Sequence, residues 1–123
     1  MHALGRHILI ELNDCNRDIL NDMEFLQQTL VHAAKEAGAT VLEKSFHHFE
    51  PVGVSGVVVL AESHLSIHTW PEYGYAAADI FTCGDSVHPS IAAQVLMTEL
   101  DSRNSSMMEV RRGLMPAPIP VTA

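Results

Sequence analysis

Three runs decide the fold: Ser55-Gly56-Val57-Val58-Val59-Leu60-Ala61, His64-Leu65-Ser66-Ile67-His68-Thr69-Trp70 and Tyr75-Ala76-Ala77-Ala78-Asp79-Ile80-Phe81-Thr82. The middle run alternates strictly. Leu65, Ile67 and Thr69 point one way and His64, Ser66, His68 and Trp70 the other, the period-two pattern of a strand with one buried face. The third run divides in the same way, Ala76, Ala78 and Ile80 against Ala77, Asp79 and Phe81. The first is rich in valine and predicts a strand buried on both faces. Glu62-Ser63 separates the first run from the second, and Pro71-Glu72-Tyr73-Gly74 is a turn before the third. Short consecutive strands joined by turns favour antiparallel pairing.

Working outward, residues 6–12 predict another strand, with Ile8, Ile10 and Leu12 opposite His7, Leu9 and Glu11. Asn13-Asp14-Cys15-Asn16 is turn-rich. Asn21-Asp22-Met23-Glu24 has the spacing of a helix start, a capping side chain with an acid three residues on. Met23, Leu26, Leu30, Ala33, Ala34 and Ala37 then recur at helical spacing, and Gly38 is a natural stop. This predicts a helix over 21–37. A strand follows over 40–49, broken by Pro51 and Gly53. Pro89 opens a second helix carrying Ile91, Ala92, Val95, Leu96 and Leu100. The tail holds a short strand around 108–111 and then a proline-rich end. The order is β-α-β-β-β-β-α-β, an α+β domain with an antiparallel sheet and two helices on one face. The other sheet face is left bare, and its apolar side chains call for a partner, so a dimer is expected.

The chain has 123 residues, enough for one domain spanning 1–123. Hydrophobic residues make up 47% and charged residues 18%, which excludes intrinsic disorder. No apolar run reaches the length of a membrane span, and the first residues lack the basic and long apolar regions of a signal peptide. Two cysteines, Cys15 and Cys83, make no disulfide scaffold, so a reducing cytoplasm is the expected location. Seven basic residues against fifteen acidic give a net charge of −8, which argues against nucleic acid and favours a cationic small molecule.

The chemistry-bearing residues cluster between Phe49 and Cys83. Gly53-Val54-Ser55-Gly56 has part of a serine-hydrolase elbow, but that motif needs glycine two residues after the serine, where Val57 stands. His64 and His68 would share a metal ion on a helix. On a strand they lie roughly 13 Å apart, so no metal is expected. Taken singly, Ser55, His68 and Cys83 read as packed or solvated residues. A fourth possibility starts at Glu62-Ser63. A serine at a bend can attack the carbonyl of its preceding residue, turning the peptide into an ester. β-Elimination then breaks the chain, and the new dehydroalanine loses ammonia to water and becomes a pyruvoyl group. The reaction needs a strained or well-positioned bond, an oxyanion donor and a base for the Cα proton. Glu-Ser alone is too common a dipeptide to indicate it.

Three longer blocks carry a resemblance. They are Gly53-Val54-Ser55-Gly56-Val57-Val58-Val59, Glu62-Ser63-His64-Leu65-Ser66-Ile67-His68-Thr69-Trp70-Pro71-Glu72-Tyr73-Gly74-Tyr75-Ala76, and Asp79-Ile80-Phe81-Thr82-Cys83-Gly84-Asp85. Together they closely resemble the short bacterial and archaeal S-adenosylmethionine decarboxylase proenzymes. Gly5-Arg6-His7 and Leu20-Asn21-Asp22-Met23 also fit, and the likeness covers about residues 4–115.

The resemblance implies self-cleavage between Glu62 and Ser63, giving a β chain of residues 1–62 and an α chain of residues 63–123. Ser63 would become the pyruvoyl cofactor, whose carbonyl forms a Schiff base with the amine of S-adenosylmethionine. It also implies Ser55 as the hydroxyl donor and His68 as the base of processing, and Cys83 as the proton donor of turnover. Phe49 and His68 would sandwich the adenine, Leu65 would line the substrate site, and Glu72 would hold the ribose hydroxyls. The product would be the aminopropyl donor for polyamine (spermidine) synthesis. Family members are dimers of processed protomers forming an αββα sandwich with sites at the interface, which agrees with the bare sheet face. The physics is consistent: a conjugated carbonyl is an electron sink, a thiol keeps its proton near neutral pH, and an aromatic ring suits both adenine and a sulfonium cation. Two rivals remain at this stage: a pyruvoyl decarboxylase of another amino acid, such as ornithine or arginine, and a non-catalytic partner subunit that has kept the fold.

Overall fold

The computed structural model describes residues 2–116. Six antiparallel strands form one sheet: β1 (His2–Asn13), β2 (Val41–His48), β3 (Val54–Leu60), β4 (Ser63–Trp70), β5 (Tyr75–Cys83) and β6 (Asn104–Met115). Their order across the sheet is β2-β3-β4-β5-β1-β6. The hairpins β2–β3, β3–β4 and β4–β5 are local. The first strand crosses over to lie between β5 and β6. The alternation read in the sequence holds: Ile8, Ile10, Leu12, Leu65, Ile67, Ala76, Ala78 and Ile80 are all buried.

The buried face is covered by helices. The helix α2 (Met23–Glu36) and the helix α3 (Pro89–Glu99) pack on one another, and Leu26, Leu30, Ala33, Ala34, Ala92, Ala93 and Leu96 complete the core with the inner strand residues. A third, four-residue helix, α1 (Arg17–Leu20), was not expected. Asn16 caps it, its side chain accepting from Ile19 N–H at 3.1 Å. The cap of α2 is Asp22, which accepts from Phe25 N–H at 3.1 Å, so the helix starts two residues later than expected. Asn21 is engaged elsewhere, as described below. No helix among the described residues is long and apolar enough to cross a membrane.

Two expectations need correction. The run 55–61 is buried on one face only: Val54, Val58 and Leu60 are inside, but Val59 is 38% exposed on the bare face. With all helices on one side, none of the described residues covers the other face. The strand expected at 108–111 is much longer and pairs with β1 from Asn104 to Met115. Nearly every residue of β6 is exposed, because this edge strand overhangs the helical layer, so it has no inside–outside alternation to read. The proline-rich end from residue 117 lies outside the described residues.

Candidate active site

The predicted site residues fall into two groups at opposite ends of the β3–β4 hairpin. The first is built at the open end of the β3–β4 hairpin, away from its turn. Ser55 and His68 are direct cross-strand partners, and Ser55 Oγ lies 2.7 Å from His68 Nδ1. With the imidazole neutral and its proton on Nε2, the serine hydroxyl donates to Nδ1. Both side chains point away from the helices, into a cleft of about 340 Å³ lined also by Phe49, Val52, Trp70 and Glu72. Phe49 is 45% exposed and meets His47 edge-on at 4.6 Å.

The loop 49–53 that presents Phe49 is held at several points. Phe49 N–H donates to Gly53 O at 2.7 Å. Asn21 Oδ1 accepts from Gly53 N–H at 3.0 Å and lies 2.9 Å from His48 Nε2. Gly53 has φ +111°, a conformation that favours glycine, and a Cβ there would press on Thr69 O at 3.3 Å. Buried Thr69 donates to Leu20 O at 2.7 Å and accepts from Val54 N–H at 2.9 Å, tying β3 and β4 to the helical layer. Beside Ser55, Gly56 leaves room for the Phe46 ring, which lies flat where a side chain would be.

The second group is Glu62, Ser63 and Cys83. Leu60 pairs with Ser63, so Ala61 and Glu62 form a two-residue turn. Glu62 has φ +61°, in the left-handed region that costs a side-chain-bearing residue roughly 1–2 kcal/mol. The bond proposed for cleavage therefore follows a strained, exposed residue at a hairpin tip. Ser63 Oγ donates to Ala61 O at 3.3 Å. The β4–β5 ladder pairs His64 with Phe81. The ladder ends there, with Ser63 next along β4 and Thr82 and Cys83 next along β5.

The two groups do not meet within one chain. Ser63 and His68 are five positions apart on an extended strand, about 17 Å at ~3.4 Å per residue. Leu65 joins neither group. It is fully buried among the core side chains on the helical face, so its side chain cannot line a site on the other face.

Sequence reasoning also missed neighbours. Trp70, 40% exposed, shares the cleft with His68, and the β4 alternation already set both on one face. Between the two groups, Asp79 Oδ2 lies 2.5 Å from His7 Nε2 and 3.1 Å from His64 Nε2, while Ser66 donates to Asp79 Oδ1. Burial opposes ionisation of Asp79, but the hydrogen bonds from Ser66, His7 and His64 outweigh it and hold the carboxyl below its usual range. Arg112 Nη1 stands 3.2 Å from His7 Nδ1 and donates to it, which leaves the His7 proton on Nε2, facing the carboxylate. The three groups are close enough to hold a metal ion, but in this arrangement their proton donors are already directed at Asp79. Finding this cluster needed the placement of β1 beside β5, which no local pattern announces. Further along the same face Tyr75 donates to Glu11. Burial and this carboxylate push its phenol up to about 12.

The comparisons with known proteins agree with the fold and the motifs. The family model described as S-adenosylmethionine decarboxylase matches residues 6–113. The chain is 54% identical over 114 residues to the S-adenosylmethionine decarboxylase proenzyme of Thermodesulfovibrio yellowstonii, covering 93% of this chain and 84% of that one. It is 50% identical over 123 residues to the proenzyme of the same name from Clostridium tetani, covering 100% and 98%. Its structure is similar to the crystal structure of adenosylmethionine decarboxylase from Aquifex aeolicus, with a TM-score of 0.89, 34% identity and 98% and 99% coverage. A Trypanosoma brucei AdoMetDC monomer shares the fold at 14% identity and a TM-score of 0.61, covering 83% of this chain and 44% of that one. The chain belongs to the S-adenosylmethionine decarboxylase family.

Proposed function

We propose that this chain decarboxylates S-adenosylmethionine, yielding the aminopropyl donor for polyamine synthesis, after cleaving itself between Glu62 and Ser63. The single domain 1–123 thereby becomes the β chain 1–62 and the α chain 63–123. The observation that carries the reading is the cleft that gathers Phe49, Ser55, His68 and Glu72 on a chain of this family. An exposed aromatic face beside a carboxylate suits a nucleoside with a neighbouring sulfonium. Such a pocket has no use for ornithine or arginine, and the relatives described above carry the S-adenosylmethionine name.

The residues fit a pyruvoyl group made from Ser63. Its serine follows a left-handed Glu62 at an exposed hairpin tip, where the chain can part without disturbing the core. That group would supply a carbonyl able to condense with the substrate amine and to act as an electron sink for the bond to the carboxylate. The chain's own residues do the rest. Ser63 Oγ attacks the Glu62 carbonyl, Ser55 donates to the oxyanion, and His68 removes the Ser63 Cα proton. In turnover Phe49 and His68 enclose the adenine, Glu72 accepts from the ribose hydroxyls, and Cys83 delivers the proton that replaces CO₂.

Because Ser63 and Cys83 lie about 17 Å along the sheet from Ser55 and His68, the complete site takes two copies. The bare faces pack together as an αββα sandwich, with Glu62, Ser63 and Cys83 of one copy meeting Phe49, Ser55, His68 and Glu72 of the other. That face carries exposed Leu9, Val59, Trp70, Met108 and Val110, which a second copy would cover. The cysteines Cys15 and Cys83 are both unpaired, in keeping with a cytoplasmic protein.

The test is CO₂ release from carboxyl-labelled S-adenosylmethionine, ornithine and arginine side by side, with denaturing electrophoresis of the same preparation. Release from S-adenosylmethionine alone, by protein split into two similar fragments, is expected. A single intact band with no release from any substrate would instead make the chain an inert partner subunit.

A further inference from the structure

Thr82 is 1% exposed, and among the described residues its Oγ1 is the one buried side-chain polar atom with no hydrogen-bond partner. An unsatisfied buried hydroxyl costs about 1–3 kcal/mol. Valine has nearly the same shape and strong strand preference, and would avoid that cost. The hydroxyl therefore has no structural reason to be there in this conformation. Its place supplies another reason. Thr82 immediately precedes Cys83 on β5. The β4–β5 ladder pairs Leu65 with Ile80 and ends at His64 with Phe81; Ser63 and Thr82 are the next residues on the two strands, the positions that the same register would bring opposite each other. Residues directly opposite on antiparallel strands share a face, with Cβ atoms about 4.5–5.5 Å apart. Thr82 also pairs with Arg6 on its other side, so β1 and β4 flank it and fix its position.

In the uncleaved chain Ser63 Oγ donates to Ala61 O at 3.3 Å, a long bond within the turn itself. While that bond is made, the hydroxyl proton is committed to Ala61 O. The serine must give up Ala61 O before it reacts, and on rotating it needs another acceptor for its proton.

We propose that the Thr82 hydroxyl is that acceptor: it takes the hydrogen bond of Ser63 Oγ–H when the serine turns to the Glu62 carbonyl, and it thereby speeds self-cleavage. This rests on the self-processing reading above. In the step concerned the Ser63 Oγ–C bond forms and the Glu62 C–N bond breaks. The hydroxyl proton ends on the released Ser63 nitrogen, so the acyl shift needs no added reagent. Thr82 holds the serine in place and is neither consumed nor titrated.

The experiment follows cleavage over time on denaturing gels, from freshly synthesised full-length chain, for wild type, Thr82→Val, Thr82→Ser and Ser63→Ala. Thr82→Val is expected to melt at or above the wild-type temperature, since it removes an unpaired hydroxyl, yet to cleave about tenfold more slowly, the worth of one ordinary hydrogen bond. Thr82→Ser, which keeps the hydroxyl and loses the methyl, is expected to restore cleavage to within about threefold of wild type despite a lower melting temperature. Hydroxylamine should not speed the Val variant, because the block comes before the ester.

Wild-type cleavage in Thr82→Val overturns the proposal, as does a Ser variant as slow as the Val variant, or an accumulated ester that hydroxylamine splits. If the Val variant does not fold, Thr82→Ala against Thr82→Ser gives the same comparison. Failure of the wild type to cleave, or cleavage of Ser63→Ala, would sink the self-processing reading itself and is read in separate lanes.

Discussion

If the site is shared between two copies, two chains that are each unable to process should repair one another. Ser63→Ala lacks the attacking hydroxyl and His68→Ala lacks the elimination base. Each alone should remain a full-length chain or, for His68→Ala, stall at the ester. The structure sets the stakes: Ser63 and His68 of one chain are about 17 Å apart, against the ~3 Å a proton transfer needs, and the ordered β4 between them cannot fold back. Mixed in equal amounts before assembly, the chains form dimers in about a 1:2:1 ratio if pairing is random. In a mixed dimer, the Ser63 of the His68→Ala chain faces the intact His68 of its partner, while the other site has lost both groups. About half of the His68→Ala chains, roughly a quarter of all chains, should therefore be cleaved. Differently tagged chains co-expressed and separated on a denaturing gel give the count, and mass spectrometry should find the pyruvoyl terminus only on the α fragment carrying alanine at 68. Failure of the mixture to process beyond either variant alone would refute the two-copy argument.

The other predictions concern single residues. Leu65→Ala should destabilise the fold by ~2–5 kcal/mol, as truncation of a fully buried leucine does, with little change in KM for the fraction that folds; a KM defect at normal stability would return Leu65 to the substrate site. Tyr75 should titrate at about 12 by ultraviolet absorbance, and Tyr75→Phe should remove that step. Because its folded pKa is raised, its contribution to stability is full below the ordinary phenol value of ~10 and lost as pH rises through about 12; a titration of Tyr75 near 10 would mean that neither burial nor Glu11 shifts it. Cys83→Ala should cleave itself normally yet decarboxylate ~10²–10⁴-fold more slowly, the usual cost of losing a positioned proton donor, and full activity would leave Cys83 a packing residue.

What the sequence made legible tracks where burial is one-sided. On β4 and β5 one face meets the helices and the other is polar or small, so alternation named the inner residues correctly. On β6 both faces are exposed, and only a fragment of a 12-residue strand could be read. On β3 the valines suggested burial on both sides, because sequence does not distinguish a face covered by a helix from one left for another subunit. The α2 cap slipped by one residue because Asn21, an equally good capping residue, bonds Gly53 and His48 across the structure. The candidate site residues were named from their motifs, but their division into two groups was not. Residues 62–72 are close in sequence, and only on an extended strand does closeness in sequence become distance in space.

The strand order also decides what kind of object self-cleavage would leave. Residues 1–62 contain β1, β2 and β3, and residues 63–123 contain β4, β5 and β6, yet across the sheet they run β2-β3-β4-β5-β1-β6. The two products are therefore interleaved, with β1 of the shorter-numbered chain clasped between β5 and β6 of the other. The core is divided too, since α2 falls on one product and α3 on the other. Neither product can leave without tearing ladders at three seams and opening the core, so the nick should not loosen the folded state. It would change the unfolded one. An intact chain unfolds as one molecule, whereas the nicked protein unfolds into two that can drift apart, so its melting temperature should fall more steeply on dilution than that of the precursor. Precursor and mature protein would thus have nearly the same structure but different laws of stability, a precursor dimer unfolding into two molecules and a nicked one into four.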